Sequence, residues 1–101
     1  MSADRIVRQV MICGRVQRVG FRAWIEYRAL EHGLEGWVRN RGDGSVEAVF
    51  AGPAVIVEAM LDACRRGPPG ARVDGIDSRE GGAKDMALRR PGELFSVLAT
   101  R

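Results

Sequence analysis

A chain of 101 residues with a formal net charge of +3 is long enough for one hydrophobic core and too short for two. Hydrophobic residues make up 46% and charged residues 29%, as in ordinary globular domains. No apolar run approaches the roughly 20 residues of a membrane span, and Asp4, Arg5 and Arg8 interrupt any signal-peptide core. We therefore expect a single cytoplasmic domain over residues 1–101, with no membrane partner.

The cysteine and charge patterns exclude further classes of protein. Cys13 and Cys64 are too few and too far apart for a disulfide framework or a zinc site, so two free thiols are expected, with a single bridge left open. With only one histidine besides, no metal is predicted. The cationic residues are interleaved with 13 acidic ones, which disfavours the clustered basic surface of a nucleic-acid-binding protein.

The chain opens with a strand and a helix. Apolar alternation predicts a strand over Ile6–Cys13, and helical apolar spacing predicts a helix over Phe21–His32 that ends at Gly33, a common residue at that position. His32 continues the apolar stripe of the helix, so we expect it to face the core and to be structural.

A hairpin and a second helix follow. Strands are predicted at Leu34–Asn40 and Ser45–Phe50, joined by a turn at 41–44 that ends in Asp-Gly. Pro53 is expected to open the second helix, because proline suits a first helical turn. Its core face carries apolar residues at i, i+3, i+4 and i+7, namely Val57, Met60, Leu61 and Cys64.

The C-terminal third is less regular. The sequence 67–70, Gly-Pro-Pro-Gly, ends the second helix, and a weaker strand is predicted at Arg72–Asp77. Residues Ser78–Glu93 are polar and glycine-rich, which predicts an exposed loop. A short last strand is predicted at Phe95–Ala99.

This element order predicts an α+β fold of the ferredoxin-like, split β-α-β type. Its antiparallel sheet carries both helices on one face, with one short extra strand at the C-terminus. If the first strand runs up, the first helix runs down and the second strand runs up again. The start of that helix and the end of that strand then lie at the same end of the sheet, so Arg22 and Asn40 should converge.

The turn between the first strand and the first helix, within Gly14–Arg22, is the first candidate site. Free backbone N–H groups, the positive end of the helix dipole and the Arg22 guanidinium should meet there, which suits a phosphate. Asn40 is the second candidate. Asparagine is also a common residue in turns, which is the structural alternative for Asn40. Its amide both donates and accepts hydrogen bonds, so it can hold a water molecule without ionising.

Both segments resemble the acylphosphatase family. Gly14–Arg22 reads GRVQRVGFR and resembles the family's first signature, G-x-V-Q-G-V-x-F-R. Gly36–Val46 reads GWVRNRGDGSV and, with Gly52 beyond it, resembles the second, G-[FYW]-[AVC]-x-N-x-x-x-G-x-V-x-x-x-x-x-G. The motifs occur in the family's order, and the likeness extends over about Val7 to Val73.

The resemblance implies a monomeric hydrolase that cleaves the carboxyl–phosphate anhydride bond of acyl phosphates, releasing a carboxylate and inorganic phosphate without metal or cofactor. Carried onto this chain, Arg22 clamps the phosphate and Asn40 orients the attacking water. The backbone N–H groups that cradle the phosphate belong to Gln17, Arg18, Val19, Gly20, Phe21 and Arg22.

One position departs from the family pattern, since Arg18 stands where the signature has glycine. A positive φ there would cost a non-glycine residue on the order of 1 kcal/mol, whereas a negative φ would make the change neutral. The alternative function is a non-catalytic anion-binding or regulatory module of the same fold. The pair Arg22 and Asn40 favours the enzyme, because a mere phosphate binder needs no water-orienting amide.

Overall fold

The computed structural model describes residues 4–101. It contains the five strands and the two long helices that the sequence predicts, and one further short helix. The strands are β1 (Arg5–Arg15), β2 (Glu35–Asn40), β3 (Val46–Pro53), β4 (Arg72–Glu80) and β5 (Phe95–Val97). The helices are α1 (Phe21–Glu31), α2 (Ala54–Arg66) and the short α3 (Ala83–Met86).

The five strands form one sheet in the order β4-β1-β3-β2-β5. β1 pairs antiparallel with both β3 and β4, and β2 pairs antiparallel with β3. β5 joins the outer edge of β2 in the parallel direction, so the sheet is antiparallel except for this short extra strand. The α+β, ferredoxin-like architecture predicted from the sequence is confirmed.

The core lies between one face of the sheet and the two long helices. It is formed by alternate strand residues and by the apolar stripes of α1 and α2; fully buried members are Val10, Ile12, Val38, Val46, Ala48, Phe21, Ile25, Val57 and Cys64. Burying a side chain the size of valine or phenylalanine contributes about 1.5–3 kcal/mol relative to exposure. Both cysteines are free, and burial raises the pKa of the Cys64 thiol to about 12, which leaves it unreactive at neutral pH.

The prediction that His32 faces the core is wrong. His32 caps the C-terminus of α1 and is exposed. The chain leaves the helical path at Gly33, whose φ is 70°, and the Leu34 N–H donates to the Ala29 carbonyl at 2.9 Å. This turn at the end of α1 directs the Leu34 side chain into the core, where it is fully buried. Leu34, and not His32, therefore occupies the core next to this end of the helix.

The predicted exposed loop over Ser78–Glu93 is also wrong in part. β4 continues to Glu80, because its backbone pairs with β1 as far as Arg8. β4 is an edge strand, and most of its side chains are exposed to water. Its polar sequence therefore lacks the apolar alternation from which a strand is predicted. α3 then begins at Ala83, and the Gly82 N–H donates to the Asp85 carboxylate at 2.9 Å.

The segment after β4 crosses the sheet face opposite the two long helices. Trp37 alternates with the core residue Val38 and therefore points to that opposite face. Its indole Nε1 donates to the Asp85 carbonyl at 2.6 Å, which ties the crossing segment to β2. None of the helices in residues 4–101 has the length and apolarity that a membrane crossing requires.

Candidate active site

The loop between β1 and α1 is shaped by glycine at two positions. Gly14 has a φ of 130° beside a bulge in the β1–β4 pairing, and a Cβ there would collide with the Arg72 carbonyl. Gly20 has a φ of 78° and immediately precedes α1. Between them the Val16 side chain is buried, as is Phe21 in the first turn of the helix, so the loop is pinned to the core at both ends.

The same loop leaves a run of backbone donors without acceptors. Within residues 4–101, the N–H groups of Gln17 to Ala23 donate to no protein acceptor, and the first helical bond is the one from Trp24 to the Gly20 carbonyl, 3.0 Å long. Unpaired N–H groups and the positive end of the α1 dipole therefore occur together at the start of this helix, an arrangement that favours an anion.

The Gln17 side chain fastens this loop to the β2–β3 hairpin. Its Nε2 donates to the Arg41 carbonyl and to the Ser45 carbonyl, both at 2.8 Å. The hairpin is closed by the Arg41 N–H on the Ser45 carbonyl and by the Asp43 carboxylate, which accepts from the Ser45 hydroxyl and N–H. Gln17 thus has a scaffold role through its side chain and offers only its backbone N–H to a ligand.

A cavity of about 430 Å³ opens where the loop, α1 and the end of β2 meet. Arg22 and Asn40 both line it, together with Arg18, Gly20 and Phe21. The side chains of Arg22 and Asn40 form no hydrogen bond or ion pair with another residue in the range 4–101. Both functional groups are therefore available to a ligand, whereas the side chains of Gln17 and Val19 lie outside the cavity wall.

Six further residues line the cavity and were not predicted, namely Val16, Ala23, Glu26, Arg90, Glu93 and Val97. Glu26 lies one helical turn after Arg22, and this spacing places both side chains on the same side of α1. The sequence could therefore have predicted Glu26. Arg90, Glu93 and Val97 come from the C-terminal segment, where the sequence predicted only a loop and a strand. Arg90 is held by a 2.9 Å hydrogen bond from its Nη1 to the Val97 carbonyl, and Glu93 accepts from the Ser96 hydroxyl at 2.6 Å.

Arg18 resolves the question that its sequence position raised. Its φ is 62°, in the left-handed region where a side chain costs free energy. Arg18 lines the cavity, and its guanidinium forms no ion pair with another described residue. The departure from the family pattern therefore adds a cation to the site and strains the backbone.

Behind Asn40, on the opposite face of the sheet, lies a buried polar network centred on Glu47. Its Oε1 accepts from Arg39 Nε at 2.8 Å and from Arg41 Nη1 at 3.2 Å, and its Oε2 accepts from Gln9 Nε2 at 2.8 Å. Burial alone would raise the pKa of Glu47, but the hydrogen bonds from Gln9 and Arg39 and the charges of both arginines bring it below its ordinary value.

Comparison with known proteins gives the family. A sequence model described as acylphosphatase matches residues 8–87. The acylphosphatase of Bradyrhizobium diazoefficiens is 60% identical over 97 residues, which are 96% of this chain and 98% of that protein. The chain belongs to the acylphosphatase family.

Solved acylphosphatase structures agree with this assignment. The crystal structure of acylphosphatase from Bacillus subtilis superposes with a TM-score of 0.80 at 32% identity, covering 92% of this chain and 98% of that one. The acylphosphatase from Coxiella burnetii gives 0.82 at 28% identity, covering 94% of each chain. The predicted family, its fold and its class of enzyme, a hydrolase acting on acid anhydrides, are confirmed.

The strain at Arg18 gives a first prediction. We expect Arg18→Gly to raise the free energy of unfolding by up to about 1 kcal/mol, because relief of the left-handed conformation outweighs the extra freedom of glycine in the unfolded chain. Urea denaturation measures the change. Arg18→Ala is the matched control, since it removes the guanidinium and keeps the strained Cβ, and equal stability of the two variants would contradict the explanation.

The Glu47 network gives a second prediction, on pH. Because its pKa is lowered in the folded protein, its stabilising contribution is present above the ordinary value of 4.5 and is lost as pH falls through the folded-state value. The free energy of unfolding of the native protein should therefore exceed that of Glu47→Gln by a constant amount near neutral pH, and the gap should shrink below about pH 4.5. A gap that is the same at every pH would refute the assignment of charge.

Proposed function

We propose that this acylphosphatase hydrolyses acyl phosphates with the phosphoryl group bound at the loop 17–22 and Arg22, and with the attacking water oriented by Asn40. The observation that carries the proposal is that Arg22 and Asn40, whose side chains form no hydrogen bond within residues 4–101, line one cavity beside loop N–H groups that lack acceptors in the same range.

Binding of the phosphoryl group draws on three sources of positive potential. The N–H groups from Gln17 to Arg22 supply donors, the start of α1 supplies the dipole, and Arg22 supplies a planar cation that can contact two phosphate oxygens at once. The backbone donors are held in place before substrate arrives, because the loop is pinned to the core and to the hairpin. They therefore stabilise the charge that spreads over the phosphoryl oxygens during transfer without reorganising.

Water is the nucleophile, and Asn40 is the group we assign to hold it. Its amide oxygen accepts a hydrogen bond from the water, whose oxygen then approaches phosphorus in line with the departing oxygen. The new P–O bond forms as the bond to the acyl oxygen breaks. The carboxylate leaves with the electron pair, and the proton released by the water stays with the inorganic phosphate. A carboxylate is stable as an anion, so no side chain has to protonate it.

We assign the acyl group to the part of the cavity lined by Ala23, Glu26, Arg90 and Glu93, since the loop and Arg22 are assigned to the phosphoryl group. We also propose that the protein acts as a monomer in the cytoplasm. Its two free cysteines suit a reducing compartment. The alternative of a non-catalytic anion-binding module gives no use for the unpaired Asn40 amide.

The direct test is release of inorganic phosphate from benzoyl phosphate by the purified protein with a chelator present. Turnover that survives the chelator supports the proposal. Binding of phosphate without turnover would favour the non-catalytic module.

Substitution of Arg22 tests the phosphate clamp. Arg22→Ala should abolish measurable turnover and weaken competitive inhibition by inorganic phosphate, because the charge-assisted contact that strengthens in the transition state is gone. Arg22→Lys should restore little, since a point charge does not reproduce the planar fork. Steady-state kinetics on benzoyl phosphate measure both, and turnover near the native rate in Arg22→Ala would reject the role.

Substitution of Asn40 tests the water. Asn40→Ala should lower kcat by on the order of 100-fold or more while the inhibition constant of phosphate changes little, because the amide contacts the nucleophile and not the phosphoryl group. Inhibition kinetics on the same preparation separate the two effects. If phosphate affinity fell in proportion to kcat, Asn40 would be a binding residue instead.

A further inference from the structure

We infer that Glu47 is a positioning residue for catalysis: it holds Asn40 in place from the opposite face of the sheet by binding the residues on both sides of it. The inference rests on the proposed role of Asn40. Glu47 does not line the cavity, and in the second signature it occupies a position at which no residue type is specified.

The geometry of the strand end carries the argument. Asn40 is the last residue of β2, where the chain is about to turn, and it pairs with Val46 of β3. Arg39 pairs with Glu47, the next residue of β3. Side chains alternate along a strand, so Asn40 lies on the face of the helices and the cavity, whereas Arg39 and Glu47 lie on the other face.

Both neighbours of Asn40 bind the same carboxylate oxygen. Arg39 Nε and Arg41 Nη1 lie 2.8 Å and 3.2 Å from Glu47 Oε1, so residues 39 and 41 are held by one atom. Arg39 also stacks on the Trp37 ring, with its guanidinium carbon 4.8 Å from the ring centre. The backbone that carries the Asn40 amide is therefore restrained on each side of its Cα.

The anchor itself is rigid. The Glu47 side chain is only 12% exposed, and its second oxygen accepts from Gln9 on β1, the strand on the far side of β3. Such charge-assisted bonds are shorter and stronger than neutral ones. An amide at position 47 would lose the charge and would replace one acceptor oxygen with a donor, so it cannot accept from Arg39, Arg41 and Gln9 together.

The experiment compares Glu47→Gln with Glu35→Gln. Glu35 lies on β2, at the opposite end of that strand from Asn40, and its Oε1 likewise accepts from two arginines, Arg5 at 3.2 Å and Arg89 at 3.0 Å. For each variant we would measure kcat and KM on benzoyl phosphate, the inhibition constant of phosphate, and the urea midpoint.

We expect Glu47→Gln to lower kcat about tenfold, the scale of a small misplacement of a catalytic group, with the phosphate inhibition constant within about twofold of native. Glu35→Gln should leave kcat within about twofold, whatever it does to stability. Equal kcat in the native protein and in Glu47→Gln, or equal losses in the two variants, would overturn the inference.

A double-mutant cycle separates positioning from general disruption. In the Asn40→Ala background, Glu47→Gln should lower kcat no further, because the group that it positions is already absent. A second tenfold loss in that background would overturn the inference. If Glu47→Gln does not fold, Arg41→Gln replaces it, since this arm of the network is 35% exposed. A kcat loss of about threefold that disappears in Asn40→Ala supports the inference, and an unchanged kcat overturns it.

Failure of this inference is distinguishable from failure of the proposed function. If Asn40→Ala itself keeps native turnover, the water-orienting role falls and the positioning role falls with it. If Asn40→Ala is impaired while Glu47→Gln is not, the proposed function stands and Glu47 has only a structural role.

Discussion

β3 pairs with β1 on one side and with β2 on the other, and this double pairing sets the distance between the β1–α1 loop and Asn40. The loop leaves the end of β1, and Asn40 ends β2, so neither could move without breaking backbone hydrogen bonds to the strand between them. β3 is buried along its length up to Pro53, where water cannot compete for those bonds. The side-chain bonds from Gln17 to the hairpin carbonyls then lock the loop to the turn itself.

The two faces of the sheet carry different parts of the structure around the cavity. The face covered by α1 and α2 carries the core and presents Arg22 and Asn40 to the cavity. The opposite face carries the polar network of Glu47, which contacts no residue of the cavity wall by hydrogen bond. An ion network on this face can restrain the end of β2 without occupying any part of the cavity wall.

Stability and site geometry conflict at Arg18. A glycine would adopt its left-handed backbone freely, yet the chain carries a cation there, at the cavity wall. Strain of this kind persists only where the surroundings hold the backbone, and here the buried Val16 and Phe21 do so from either side. The cost of about 1 kcal/mol is small beside the burial of such residues.

The sequence by itself determined the order of the five strands and the two long helices, and the convergence of Arg22 and Asn40, which line one cavity. These depend on local signals: apolar periodicity, glycine at turns and the chain direction of successive elements. The C-terminal third did not carry such signals. There, β4 extends to Glu80 through its pairing with β1. Elsewhere in the chain, the exposure of His32 depends on the turn that brings Leu34 into the core.

Only the tertiary structure decided which distant residues share the site. Arg90 and Glu93 reach the cavity because the segment after β4 crosses the sheet and β5 joins β2 in parallel, and no local pattern encodes that route. Alternation along β3 predicts that the Glu47 side chain lies on the face opposite the core. It does not predict that Arg39 and Arg41 bind the same oxygen of Glu47. Periodicity fixes which face a side chain occupies, whereas its contacts depend on register between strands, which is a long-range property of the fold.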